Sequence, residues 1–187
     1  MAVPVVIAST SPFLAWREPI YIGAGFAGII ALALLLVQPL LAAGWLPGVP
    51  ARRSKRLHQW LGGALVVAVL MHVGGLWVTS PPDVVDALLF ASPTPFSVWG
   101  VVAMWALFGA LLLALLRRKL KLKPLIWRQA HTVLVVVVVI GTVTHALLIE
   151  GAMEVVSKTV LCVLVLLALI KALFELRSWM LIKRPRV

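Results

Sequence analysis

Long apolar runs separated by short polar clusters dominate the chain. Five runs can be traced: about Ile20 to Trp45, Leu57 to Val78, Pro95 to Leu116, Leu125 to Leu148, and Val155 to Leu176. Each is about 20 residues or more, enough for a helix to cross a hydrocarbon core roughly 30 Å thick. In lipid the backbone must satisfy its hydrogen bonds within its own segment, so these runs are predicted to be helices. The fold class that follows is all-α, a polytopic transmembrane helix bundle of about five spans.

The polar clusters alternate in sign. Arg52, Arg53, Lys55 and Arg56 follow the first run, and Arg117, Arg118, Lys119, Lys121 and Lys123 follow the third. Arg177, Lys183, Arg184 and Arg186 follow the fifth. The other two connections carry Asp83 and Asp86, then Glu150 and Glu154, against only Lys158. Basic loops stay in the cytoplasm, so the N-terminus is predicted outside and the C-terminus inside. Residues 1–18 then form an external N-terminal segment, 19–176 the transmembrane domain, and 177–187 a basic cytoplasmic tail. The second and fourth runs both point outward from the cytoplasm. Pro81-Pro82 and Pro93-x-Pro95 bracket the longest external loop, where prolines stop helices. Trp45, Trp77, Trp99, Trp127 and Trp179 lie near run ends, as an aromatic belt at the membrane interface would.

Composition agrees with the pattern. Of the 187 residues, 63% are apolar, where a soluble domain sits nearer half. The mean hydropathy is +1.10. Net charge is +11, from 17 basic and 6 acidic residues. In a soluble protein that excess would suggest nucleic acid. Here it lies between apolar runs, so the expected partner is the lipid bilayer and no nucleic acid is expected. The single Cys162 lies inside an apolar run and reads as a small buried residue. The first basic residue is Arg17, so the charged start of a cleaved signal is missing and the first span is expected to be its own anchor. An integral protein of a bacterial inner membrane is the expected setting. Gly23-Ala24-Gly25-Phe26-Ala27-Gly28 matches a dinucleotide fingerprint, but it opens a membrane span instead of a strand-to-helix turn. Small residues for close helix packing are the better reading.

All four histidines fall on the second and fourth runs. His58 and His72 are related by an H-x13-H spacing, and so are His131 and His145. That interval falls only roughly 40° short of four full helical turns and rises about 21 Å. Both histidines of a run therefore share a face, one near each edge of the hydrocarbon core. Because the runs are parallel, His58 is predicted to face His131, and His72 to face His145. Two imidazoles at one depth suit the axial positions of a six-coordinate haem iron, so two haem b groups are expected, stacked across the membrane. A zinc site would need its ligands gathered around one ion. Gly62 and Gly141 share the faces of His58 and His145 and are expected to let a flat macrocycle approach the backbone. Arg128, three before His131, is expected to pair with a haem propionate, whereas Arg56 reads as a positive-inside flank.

Arg56-Leu57-His58-Gln59-Trp60-Leu61-Gly62, Met71-His72, Trp127-Arg128-Gln129-Ala130-His131 and Thr144-His145 together resemble the ferric reductase-like transmembrane domain superfamily. That superfamily includes ferric reductases, NADPH oxidases and the haem subunit of bacterial methionine sulfoxide reductase systems. The resemblance covers about residues 52–176 and implies that His58, His72, His131 and His145 ligate two b haems. It implies six spans where five are counted here. It also implies a cytoplasmic flavin and nicotinamide domain, for which the tail after the last run is too short. The chain is therefore expected to be a stand-alone oxidoreductase subunit that takes electrons from a separate cytoplasmic flavin or NAD(P)H reductase.

Three functions stay open on the sequence. The first is a transmembrane electron conduit to ferric iron, oxygen or a periplasmic redox protein. The second is a quinone-reactive di-haem cytochrome resembling cytochrome b561 or a dehydrogenase anchor. The third is a non-redox transporter or assembly protein, which would want more polar residues at the midplane. No catalytic acid, base or nucleophile stands out.

Overall fold

The computed structural model describes residues 2–181. Its elements are α1 (Ala2–Ser9), a 3-10 turn at Pro12–Leu14, α2 (Pro19–Ala42), α3 (Ala51–Thr79), α4 (Pro81–Leu88), α5 (Pro95–Leu116), α6 (Pro124–Leu148) and α7 (Val155–Leu181). Among the described residues there is no strand. Five helices, α2, α3, α5, α6 and α7, are long and apolar enough to span a bilayer. Lys183, Arg184 and Arg186 of the expected tail lie outside the described residues, as do the side chains of Arg177 and Trp179.

Helix ends follow the local chemistry. Proline sits in the first turn of α2, α4, α5 and α6, where its missing N–H costs nothing. α2 stops at Ala42, short of Trp45, and the chain turns through Gly44 and Gly48 at φ +71° and +76°. Only glycine takes such angles readily. α3 begins at Ala51, so Arg52, Arg53, Lys55 and Arg56 lie on its first turns and not in a loop. The expectation that Pro81-Pro82 bounds a loop holds only in part. α3 does end at Thr79, but Pro81 then starts the short helix α4, with the Ser80 hydroxyl donating to the Asp83 carboxylate. Glu154 caps α7: its carboxylate accepts from the backbone N–H groups of Ser157 at 2.8 Å and Val156 at 2.9 Å, which holds its carboxyl below the ordinary range.

The bundle is built from two antiparallel hairpins, α2–α3 and α5–α6, with α7 packed against α2 and α6. The shared core draws on all five spans, through Leu32 and Leu35 of α2, Leu65 of α3, Ala106 of α5, Val139 of α6 and Val165 of α7. Cys162 lies fully within it. Large apolar side chains such as Val133, Val160 and Phe174 point outward, as lipid-facing residues do. One end of the bundle carries the basic α2–α3 and α5–α6 connections; the other carries Asp83, Asp86, Glu150 and Glu154. These are the basic and acidic ends of the bundle. Two buried polar side chains are tied down. Lys158 donates to the Ile149 carbonyl at 2.6 Å, and Ser54, 1% exposed, donates to the Leu41 carbonyl at 2.7 Å.

The Ser54 bond joins the start of α3 to the end of α2. Ser54→Ala is expected to cost about 1 kcal/mol, the net worth of one buried hydrogen bond, read as a lower thermal unfolding midpoint in detergent. An unchanged midpoint would show that the bond does not hold the hairpin closed.

Candidate functional site

α3 carries His58 near the basic end and His72 near the acidic end; α6 carries His131 and His145 at the corresponding places. α3 and α6 make almost no direct backbone contact, since each packs on its own hairpin partner. Their histidines nonetheless come together. The rings of His72 and His145 are 6.4 Å apart centre to centre, inclined at 80°. His58 lies within electrostatic reach of His131.

Three of the four rings are oriented from behind by their hairpin partner. The Nδ1–H of His72 donates to the Ala24 carbonyl at 2.7 Å, and that of His145 to the Phe96 carbonyl at 2.8 Å. His58 Nδ1 donates to the Gln38 carbonyl at 3.3 Å. A carbonyl only accepts, so Nδ1 carries the proton in these rings and Nε2 keeps its lone pair. The acceptors on α2, Ala24 and Gln38, stand at the same interval along the chain as the histidines they hold. In the second hairpin the Ala110 carbonyl stands opposite His131, at that same interval from Phe96, without reaching bonding geometry. The two hairpins thus repeat one arrangement.

The acidic-end rings need glycine. A Cβ added to Gly28 would lie 3.0 Å from His72 Nδ1, and one added to Gly100 would lie 2.7 Å from His145 Nδ1. Gly28 lies one helical turn after Ala24, and Gly100 one turn after Phe96, so carbonyl and glycine form one notch in each hairpin. The corresponding positions at the basic end are Ala42 and Ala114. Their methyl groups offer no such notch, in keeping with the longer His58 bond and the missing one at His131. Sequence reasoning reads Gly28 only as a packing residue within a false nucleotide motif and passes over Gly100. The signal available is a glycine one turn after a position paired with histidine across a hairpin.

The glycines singled out from sequence sit elsewhere. A Cβ on Gly141 would lie 3.0 Å from both Ala103 Cβ and the Trp99 carbonyl, so its missing side chain admits α5. Gly62 faces Gln38 Nε2 on α2, at 3.7 Å from a built Cβ. Both face contacts inside a hairpin. Arg128 is half-buried beside His131 and makes no hydrogen bond among the described residues. Trp127 departs from the belt reading. Its ring stacks on His131 at 5.4 Å and 15°, with the Arg117 guanidinium over the indole at 4.7 Å.

Among the described residues, three buried side-chain polar atoms have no hydrogen-bond partner: Gln38 Nε2, Trp127 Nε1 and His131 Nδ1. All three gather around the His58–His131 level. No cluster of three or more His, Cys, Asp or Glu side chains suited to a bare metal ion occurs among them.

Residues 27–142 match the family described as Ferric reductase like transmembrane component. The match runs from α2 into α6, takes in His58, His72 and His131, and stops just before His145.

The chain belongs to the ferric reductase-like transmembrane family.

No curated protein and no solved structure matches it. A ferric reductase-like domain is a redox membrane domain, so the chain is an integral membrane protein of the kind that moves electrons across a bilayer. The histidine geometry fits the haem that such domains commonly bind. A metal held end-on by two imidazoles, at about 2 Å from each nitrogen, sets the ring centres roughly 6 Å apart; His72 and His145 stand at 6.4 Å. Two side-chain ligands per level suit a macrocycle that brings its own equatorial donors, and the unpartnered donors near His131 suit a ligand bearing acceptors.

Gly100→Ala drives a methyl group into the His145 ring and is expected to destabilise the protein by about 1–3 kcal/mol. Gly74→Ala, with nothing within 4 Å of the added Cβ, is expected to be neutral or stabilising by up to about 1 kcal/mol. Thermal unfolding in detergent distinguishes them. Equal effects of the two changes would show that the notch is not tight.

Proposed function

We propose that the protein is a di-haem cytochrome b that passes single electrons across the membrane. His72 and His145 hold one haem near the acidic end, and His58 and His131 hold the other near the basic end. One observation carries the reading: the His72 and His145 rings stand 6.4 Å apart, each with its Nδ1–H turned away onto a carbonyl, in a chain of a redox membrane family. The iron of a bound haem supplies reversible one-electron reduction within the bilayer.

The chain's own residues supply the rest. The carbonyls of Ala24, Gln38 and Phe96 fix the tautomer of three histidines and leave Nε2 to the metal. The hairpins leave each ring part-buried in the bundle. The basic end, with Arg52, Arg53, Lys55, Arg56, Arg117 and Arg118, is placed in the cytoplasm by the positive-inside rule. Such a surface speeds association with an acidic partner, so the electron donor is a separate cytoplasmic flavin or NAD(P)H reductase. Arg128 provides a charge for a propionate at that level. At the acidic end electrons leave to an external acceptor: ferric iron, oxygen or a periplasmic redox protein.

A reduced-minus-oxidised visible spectrum, with haem counted per chain, tests this. Two low-spin b haems are expected. His72→Leu is expected to remove one and spare the other, halving the haem content. A colourless preparation, or a His72→Leu protein that keeps both haems, would refute the assignment.

A further inference from the structure

The four histidines are not held alike. Three are braced by a main-chain carbonyl behind Nδ1, at 2.7, 2.8 and 3.3 Å. Such a bond fixes both the tautomer and the rotation of the ring. His131 lacks it: its Nδ1 is buried without a partner. The ring is instead flanked by Trp127, one turn earlier and so on the same face of α6, in parallel stacking at 5.4 Å. The indole is not restrained through its own polar atom, since Nε1 is also buried without a partner. Its second contact is Arg117, at the end of α5, whose guanidinium carbon lies 4.7 Å from the ring centre. The cation attracts the π-face it lies over and ties the start of α6 to the end of α5.

We infer that Trp127 is the positioning residue of the basic-end site: its stack, capped by Arg117, sets the plane of the His131 imidazole, the task that carbonyls perform for the other three histidines. This rests on the haem reading above and concerns a residue that reading does not use. Two consequences follow for a haem held at that level. The angle between the two axial imidazole planes, which governs the g-anisotropy of a low-spin ferric haem, depends on Trp127. A ligand imidazole with no acceptor on Nδ1 is also a weaker electron donor, which favours the reduced state. The Arg117 charge favours it further.

The experiment is electron paramagnetic resonance of the oxidised protein, with a potentiometric titration, on wild type, Trp127→Phe, Trp127→Leu and Arg117→Gln. Leu is expected to move the g-values and midpoint potential of one haem and leave the other unchanged. Phe keeps a ring for stacking and is expected to stay near wild type. Arg117→Gln is expected to lower the midpoint of the same haem. Loss of that one haem in Trp127→Leu, with retention in Trp127→Phe, is the same result in its extreme form. The inference is overturned if Leu leaves both signals unchanged, if both haems shift together, or if Phe behaves as Leu does. A wild-type protein with no haem would instead sink the haem reading itself, and this inference with it.

Discussion

The bond from an imidazole Nδ1–H to a carbonyl of the neighbouring helix is the contact on which the site depends. Within a bilayer a histidine ring has no water to satisfy it and must find a protein partner. A helix normally uses its carbonyls internally, yet a carbonyl oxygen has a second lone pair, and α2 and α5 lend it to the rings beside them. Because the bond consumes Nδ1–H, the only nitrogen left for chemistry is Nε2. A single geometric choice therefore satisfies the polar group and exposes its reactive atom.

The same bond explains why one interval recurs. In an antiparallel hairpin, advancing one helix moves the opposing position back by the same amount. His58 and His72 meet Gln38 and Ala24, which are equally far apart along the chain but in reverse order. The second hairpin repeats the register with His131 and His145 opposite Ala110 and Phe96. Each hairpin is thus a unit that presents two rings, and α7 packs against a helix of both. The histidine helices barely touch one another, so packing between them does not bring the rings together. The hairpin registers and α7 do.

The two levels of paired histidines differ. At the acidic end, Gly28 and Gly100 let the rings approach the backbone closely, and both Nδ1 atoms are satisfied. At the basic end alanines replace the glycines, the bonds lengthen or fail, and the unpartnered donors of Gln38, Trp127 and His131 gather. An asymmetry between the two histidine pairs is thereby built into a repeated scaffold.

Hydropathy alone determined the helical class and the five spans, because a bilayer leaves an apolar segment of that length no other way to satisfy its backbone; it missed the first turns of α3, where the charged residues after Ala51 mask the helix. Spacing alone put the paired histidines on common faces, since the H-x13-H interval nearly closes a whole number of helical turns. The tertiary structure decided what period and composition cannot encode. α4 appeared because Pro81 can begin a helix as well as end one. Gly141 turned inward to α5, and Gly28 and Gly100 became the ones that matter, because the partner of a missing side chain is chosen by the neighbouring helix. Trp127 passed for a membrane anchor until its stack on His131 was visible, a contact that depends on ring orientation and on where α5 ends. One chain's periodicity says which way a residue faces; only packing says what it faces.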